Sequence, residues 1–192
     1  MRNKIILLAV IVAAVAGIVV WRVFYATPAE SPGSGLYAEI TQERGYKGVI
    51  TVYDESGTAE YKWPSADEYI IAVKISPSAD TMAVITLSGN GCGLKVFSLE
   101  TGGERGSYLS SDCMFYDLGY LTDGEIYAIG SDRAVIFDNA AIAISAYAFP
   151  DEYLSDYLVT DNHLTLLLSG YRASDKSRSV RFSGTDWIDI NS

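Results

Sequence analysis

The chain has 192 residues, 49% of them hydrophobic and 20% charged, which is ample for one folded domain and thin for two. Its formal net charge of −10 leaves no basic footprint, so nucleic acid is excluded as a partner and the body is repelled by anionic lipid headgroups. The 14 Tyr suit half-buried strands and binding surfaces alike.

The first element is a helix. Ile5 to Trp21 contains no charge, and 17 residues make roughly 25 Å of helix. With Arg22 snorkelling and the run counted on to Tyr25, it covers a bilayer core of about 30 Å. The eleven Ile, Leu and Val residues between Ile5 and Val20 suffice for insertion, and Trp21 and Tyr25 fall where an interfacial aromatic belt belongs. A cleaved signal peptide is the competing reading, but its apolar region is usually shorter, and Phe24-Tyr25-Ala26 is no A-x-A site. No Cys lies nearby for a lipid anchor. Arg2 and Lys4 precede the run, so residues 1–4 are expected in the cytoplasm, 5–25 in the membrane and the body outside. Residues 26–35, ATPAESPGSG, read as a flexible tether.

From Leu36 onward the pattern is all-β. LYAEITQ, GVITVYD and AEYKW predict three strands, followed by YIIAVKI and TMAVITL around the turn Pro77-Ser78-Ala79-Asp80. Asn90-Gly91 then marks a hairpin into GLKVFSL, and Glu100-Thr101-Gly102-Gly103 another into ERGSY. Four antiparallel strands thus fill a unit of about 43 residues. The next unit places Asp123-Gly124 at its first turn, and the last places Asp161-Asn162 there.

Two markers share this period. The aromatics opening VYDESG, VFSLETGG, VIFDNAA and VRFSGTD are Tyr53, Phe97, Phe137 and Phe182, spaced 44, 40 and 45 apart. The turn acids Asp80, Asp123 and Asp161 are spaced 43 and 38 apart. A period of 40–50 in an all-β chain is the propeller signature, with the aromatic phrases as outer hairpins of successive blades. Blades are expected at about 36–69, 70–112, 113–153 and 154–192.

ISPSADTMAVIT resembles the inner hairpin of WD-repeat and TolB-type propellers, and VYDESGTAEYKW resembles the quinoprotein-like repeat. With the first helix added, the chain resembles the single-pass membrane proteins of Gram-positive gut bacteria whose outer part is a WD/quinoprotein-like β-propeller. That resemblance implies fold and location and carries no reaction. At this period 157 residues make fewer than four full blades. The expectation is therefore a partial propeller cut from a longer chain, or a four-bladed disc.

Chemistry is sparse. Cys92 and Cys113 fall on loops that open on one face, where a disulfide outside the membrane or two buried reduced thiols both fit. Two Cys and one His make no metal site, and no cofactor is expected. His163 reads as a turn residue, and no serine sits in a G-x-S-x-G elbow. The pairs Asp67-Glu68 and Asp151-Glu152 have the residue types of glycosidase acids, or of solvated loop charge. SADEY, SYLSSD and FPDEY recur at blade period. They place Tyr69, Tyr108 and Tyr153, with Asp67, Asp112 and Asp151, either in a ring gripping a peptide or glycan or as covers for blade ends. The expected function is a non-catalytic, membrane-anchored binding or scaffold module for a cell-envelope protein or polymer. The alternative is an envelope hydrolase using loop carboxylates or His163.

Overall fold

The computed structural model describes residues 29–30, 35–43, 47–65, 68–172 and 177–190. The expected membrane helix at 5–25 lies outside these residues, and among the described residues no helix is long and apolar enough to cross a membrane. Among the described residues every regular element is a strand, and the sixteen strands there form four antiparallel sheets of four. The first contains β1 (Ala29–Glu30), β2 (Tyr37–Glu43), β3 (Lys47–Tyr53) and β4 (Ala59–Pro64). The second contains β5 (Tyr69–Ile75), β6 (Thr81–Ser88), β7 (Gly91–Ser98) and β8 (Glu104–Ser110). The third contains β9 (Phe115–Tyr120), β10 (Ile126–Gly130), β11 (Arg133–Phe137) and β12 (Ala143–Ala148). The fourth contains β13 (Glu152–Thr160), β14 (His163–Gly170), β15 (Arg178–Phe182) and β16 (Trp187–Asp189). Within each sheet, spatial order follows chain order.

Strand composition follows cover. In β6 and β10 a continuous run of side chains is buried, because both faces of the second and third sheets are packed against neighbours. The outermost strands β4, β8 and β12 instead alternate exposed and half-buried residues. Tyr53, Phe97, Phe137 and Phe182 all lie at or next to the end of a third strand, so the repeated phrases are the outer hairpins that the period predicts. The residue after each aromatic builds the turn. Asp54 Oδ1 accepts from the N–H groups of Ser56 and Thr58 at 2.9 and 2.8 Å. Asp138 Oδ1 accepts from those of Ala140 and Ile142, both at 2.9 Å. Ser98 Oγ takes the Thr101 N–H at 3.3 Å. Such local bonds give the backbone an alternative to the ladder and end the strand.

Three cores join the sheets in sequence. Ile50, Val52, Met82, Val84 and Phe97 join the first to the second. Ile85, Leu94, Phe115, Leu118 and Phe137 join the second to the third. Ile129, Ile136, Leu166, Val180 and Phe182 join the third to the fourth. Polar links across these seams fall one repeat apart: Tyr61 to Gly102, Thr81 to Tyr120, Asp117 to Tyr157, Asp123 to Asn162 and Ser145 to Trp187. Their separations of 41, 39, 40, 39 and 42 residues restate the period as contacts. Among the described residues no core joins the fourth sheet to the first.

Two local expectations change. Ala29 and Glu30, read as tether, pair with Ala38 and Tyr37 as a short fourth strand of the first sheet. Two residues are too few to show alternation. The hairpin placed at Asn90-Gly91 is centred one residue earlier, because Ser88 faces Gly91 and leaves Gly89-Asn90 as the loop. Gly91 has φ 134°, and a side chain there would run into the Ser110 carbonyl. Glycine at 91 therefore serves close strand approach as much as the turn.

Candidate functional site

The three tyrosines expected to form one binding ring sit in three environments. Tyr69 begins β5 opposite Leu87 and is half-buried. Tyr108 is a seam residue of β8, its ring 5.0 Å from Phe137 and 6.3 Å from Phe115. Tyr153 lies 45% exposed on β13, 5.8 Å from Tyr171. No ring contact joins any two of the three. Asp67 lies outside the described residues, and Asp112 and Asp151 are exposed.

The acidic loops between sheets have a recurrent partner that the sequence pattern conceals. At each seam, a cation on the third strand of one sheet bonds a carboxylate from the connection leading into that sheet or, in the fourth, from the first residue of its first strand. Lys95 Nζ meets Glu68 at 2.7 and 2.8 Å. Arg133 Nη2 meets Asp112 at 3.2 Å. Arg178 grips Glu152 through two bonds of 2.6 and 2.8 Å. In the first and third seams the cation also lies over an aromatic of the preceding sheet's fourth strand. Lys95 is 5.9 Å from the Trp63 ring and Arg178 is 5.7 Å from that of Tyr147. These clamps tie loop, third strand and preceding sheet together. Hydrogen bonds from Ser110 and the charge of Arg133 hold Asp112 below the usual carboxylate range, and Arg178 does the same for Glu152. Glu68 and Glu152, half of each supposed glycosidase pair, are thus committed to structure.

The other titratable candidates are also quiet. His163 opens β14, and its buried Nδ1 has no hydrogen-bond partner among the described residues, so no nucleophile or carboxylate is aligned with it. Both cysteines are free and buried. Cys92 Sγ lies against the Phe115 peptide, accepting from its N–H at 3.3 Å and donating to its carbonyl at 3.5 Å. Burial raises both thiol pKa values, and Asp132 raises that of Cys113 further. Neither is poised as a nucleophile.

The concave feature is elsewhere. On the opposite loop face, a cleft of about 330 Å³ lies between the first hairpins of the second and third sheets and the outer hairpin of the third. Asp80, Asp123, Glu125 and Asp138 line it, with Ser76, Ser78 and Asn139 as polar wall and Ile144 as apolar wall. Asp80 accepts from the Ser76 and Ser78 hydroxyls at 2.8 and 2.5 Å and lies 3.5 Å from Arg105. Chiefly through Ser78, its pKa is lowered. Glu125 differs: one carboxylate oxygen is buried without a partner among the described residues, and burial followed by Asp123 pushes its pKa up. Asp80 and Asp123 are visible in the sequence as period markers. Their convergence with Asp138 is not, because it depends on how two hairpins of neighbouring sheets close on one another.

No protein-family model matches the sequence, and no curated protein does. Solved structures do match. The β-propeller domain of the Trilobed protease from Pyrococcus furiosus, which has an open velcro topology, aligns at TM-score 0.62 and 12% identity over 87% of this chain. An acylaminoacyl peptidase, solved with Z-Gly-Gly-Phe-chloromethyl ketone, aligns at TM-score 0.63 and 9% identity, again over 87% of this chain. The chain spans 56% of the first and 32% of the second. At such identities the likeness is one of fold, and the fold is that of a β-propeller.

Proposed function

We propose that the chain is a non-catalytic propeller module, tethered by residues 5–25 to the outer side of the cytoplasmic membrane, that binds a cell-envelope protein or polymer through cationic groups. The cleft carries this reading. Its four carboxylates, Asp80, Asp123, Glu125 and Asp138, give it negative charge, and Ile144 offers an apolar wall for the stem of a Lys or Arg side chain. The hydrolase alternative loses one acid of each pair to the clamps, and His163 lacks an aligned partner among the described residues.

The test is titration of fluorescein-labelled oligolysine into the full chain in detergent micelles, with oligoglutamate as control. Saturable binding that weakens with added salt, and weakens several-fold in Asp123→Asn/Glu125→Gln, is expected. Equal binding by the double variant sinks the cleft as the site. The tether is tested separately by adding protease to intact cells, where digestion of the body with the N-terminus protected is the expected outcome.

A further inference from the structure

The outermost strand of a sheet leaves one row of backbone groups without a neighbouring strand, and such edges are ordinarily guarded by charge, proline or shortness. β4 carries Glu60, Lys62 and Pro64, β8 carries Glu104 and Arg105, and β16 is only three residues long and carries Asp189. β12 has none of these guards. From Asn139 to Phe149 the chain has neither a charge nor a proline, and Ile142 and Ile144 are 64 and 53% exposed. On the forward face of the third sheet, the one turned towards the next sheet in chain order, Ser145 and Tyr147 are engaged by Trp187. The edge is different. Phe149 donates inward to the Asp132 carbonyl at 2.7 Å, so alternation turns the N–H and C=O groups of Ala148 and Ala146 outward. Among the described residues β12 pairs with β11 alone.

A bulge gives this edge its chemistry. In the first three sheets the third and fourth strands slip by one residue at the same place, and the residues left over are Glu60, Arg105 and Ile144. In the second sheet that residue serves the first hairpin as its cation, with Arg105 lying 3.5 Å from Asp80. One repeat on, Asp123 stands in the place of Asp80 and Ile144 in the place of Arg105. Asp123 accepts from the Glu125 N–H, and Asp138 from those of Ala140 and Ile142, but among the described residues neither forms an ion pair. The cations near the other end of β12 are already matched, Arg133 by Asp132 and Asp112, and Arg178 by Glu152 and Asp189. The third sheet thus keeps the acid of the pair and replaces its cation with an apolar wall, beside an unguarded edge. We propose that an extended segment of a partner protein adds to the edge of β12 as a fifth strand and sets a Lys or Arg side chain over Ile144 in the cleft, supplying the cation that Arg105 supplies in the second sheet. The proposal rests on the cleft as a cation site. It narrows the partner to a protein, because regularly spaced amides are what answer a row of outward N–H and C=O groups.

The probe is the fluorescein-labelled peptide Lys-Lys-Thr-Val-Thr-Val-Thr-Lys-Lys, whose two basic ends allow either strand direction. Its control is the same peptide N-methylated throughout the Thr-Val-Thr-Val-Thr centre, and both are titrated into the full chain in micelles. The unmethylated probe is expected to bind several-fold tighter at equal charge and to slow hydrogen exchange in residues 142–149, which the methylated one leaves unchanged. Ala146→Pro removes an outward donor and should weaken the unmethylated probe alone. Ile144→Arg installs the second sheet's pairing and should weaken both, as should Asp123→Asn/Glu125→Gln. Equal affinity of the two probes for wild type overturns strand addition, and the cleft still stands if the double variant weakens both. Indifference of both probes to the double variant overturns the cleft reading and the proposal with it. Undiminished binding by Ile144→Arg overturns the role drawn from Arg105. Slow exchange at Ala146 and Ala148 in the free chain means that a second copy or another part of this chain covers the edge, and also overturns the proposal.

Discussion

The seam between the second and third sheets and the forward face of the fourth use the same strand plan with different chemistry. On the second and third strands of the second sheet, the forward face presents Ala83, Ile85, Leu94 and Val96, all fully buried. The corresponding strands of the fourth sheet present Thr165, Leu167, Ser179 and Arg181. Strand formation does not require a covered face. Alternation and hairpin turns suffice, and cover then decides which residues a face tolerates. A face that mixes Leu and Ile with Thr, Ser and Arg is suited to intermittent cover, as at an interface that must also survive in water.

The largest expected effect separates these faces directly. Phe137 is fully buried between Tyr108 and Phe115, and Phe137→Ala should cost about 3–5 kcal/mol in chemical denaturation. Leu167→Ala should change stability by no more than about 0.5 kcal/mol at high dilution. If that cost rises with protein concentration, the face is covered by another copy. Equal costs for the two substitutions at high dilution would break the comparison, because Leu167 would then already be packed within one chain.

A second prediction concerns what holds a seam besides its core. Arg178→Met removes the clamp on Glu152 and should cost about 1 kcal/mol at neutral pH, at the upper end for partly exposed pairs because the contact is bidentate. Glu152 is depressed below its ordinary 4.5 in the folded chain. Its contribution is therefore present above the unfolded carboxylate value and is lost as pH falls through the still lower folded one. Melts of wild type and Arg178→Met should converge through that acid window. A difference that persists at low pH would assign the effect to packing of Arg178 over Tyr147.

The clamps also show where sequence reasoning reaches its limit. The hairpin aromatics were legible because four turns need the same residue types at fixed positions, and the period survives in Tyr53, Phe97, Phe137 and Phe182. The acids flanking Tyr69, Tyr108 and Tyr153 were legible as a recurrence, but their role was not. Each partner cation lies 21 to 27 residues away, and the pairs vary as Lys–Glu, Arg–Asp and Arg–Glu. Only the sheet register brings a third-strand cation back to the residues where its own sheet begins. The cleft was hidden for the same reason, and β1 was hidden by its length.

A smaller effect is expected at a turn. Each outer hairpin places one residue in the left-handed region, Gly57, Gly102, Ala141 and Gly184, and the first hairpins do so at Ala79, Gly124 and Asp161. Ala79 has φ 58° and is only half-buried, so Ala79→Gly relieves strain and leaves little cavity. A gain of about 0.5–1 kcal/mol in denaturant midpoint analysis is expected, reduced by the entropy that glycine adds to the unfolded chain. A loss would mean that the Ser76–Asp80 turn depends on the alanine methyl.

The smallest effect lies in the cleft and vanishes in acid. Burial raises Glu125 above its ordinary 4.5, with Asp123 adding to the shift, so the folded chain holds this proton more tightly than the unfolded chain. Its contribution to stability is fully present below the unfolded value and is lost as pH rises through the folded one. Glu125→Gln keeps the shape without the charge. It should melt slightly above wild type at neutral pH and converge with it in acid, opposite to Arg178→Met, which should melt below wild type at neutral pH. Bound oligolysine should lower the Glu125 pKa by supplying the missing partner for its buried oxygen, moving the convergence to lower pH. If the convergence point stays put while the peptide binds, the cation is held by Asp80 and Asp138 at the rim, and Glu125 serves only to keep the first hairpin of the third sheet in place.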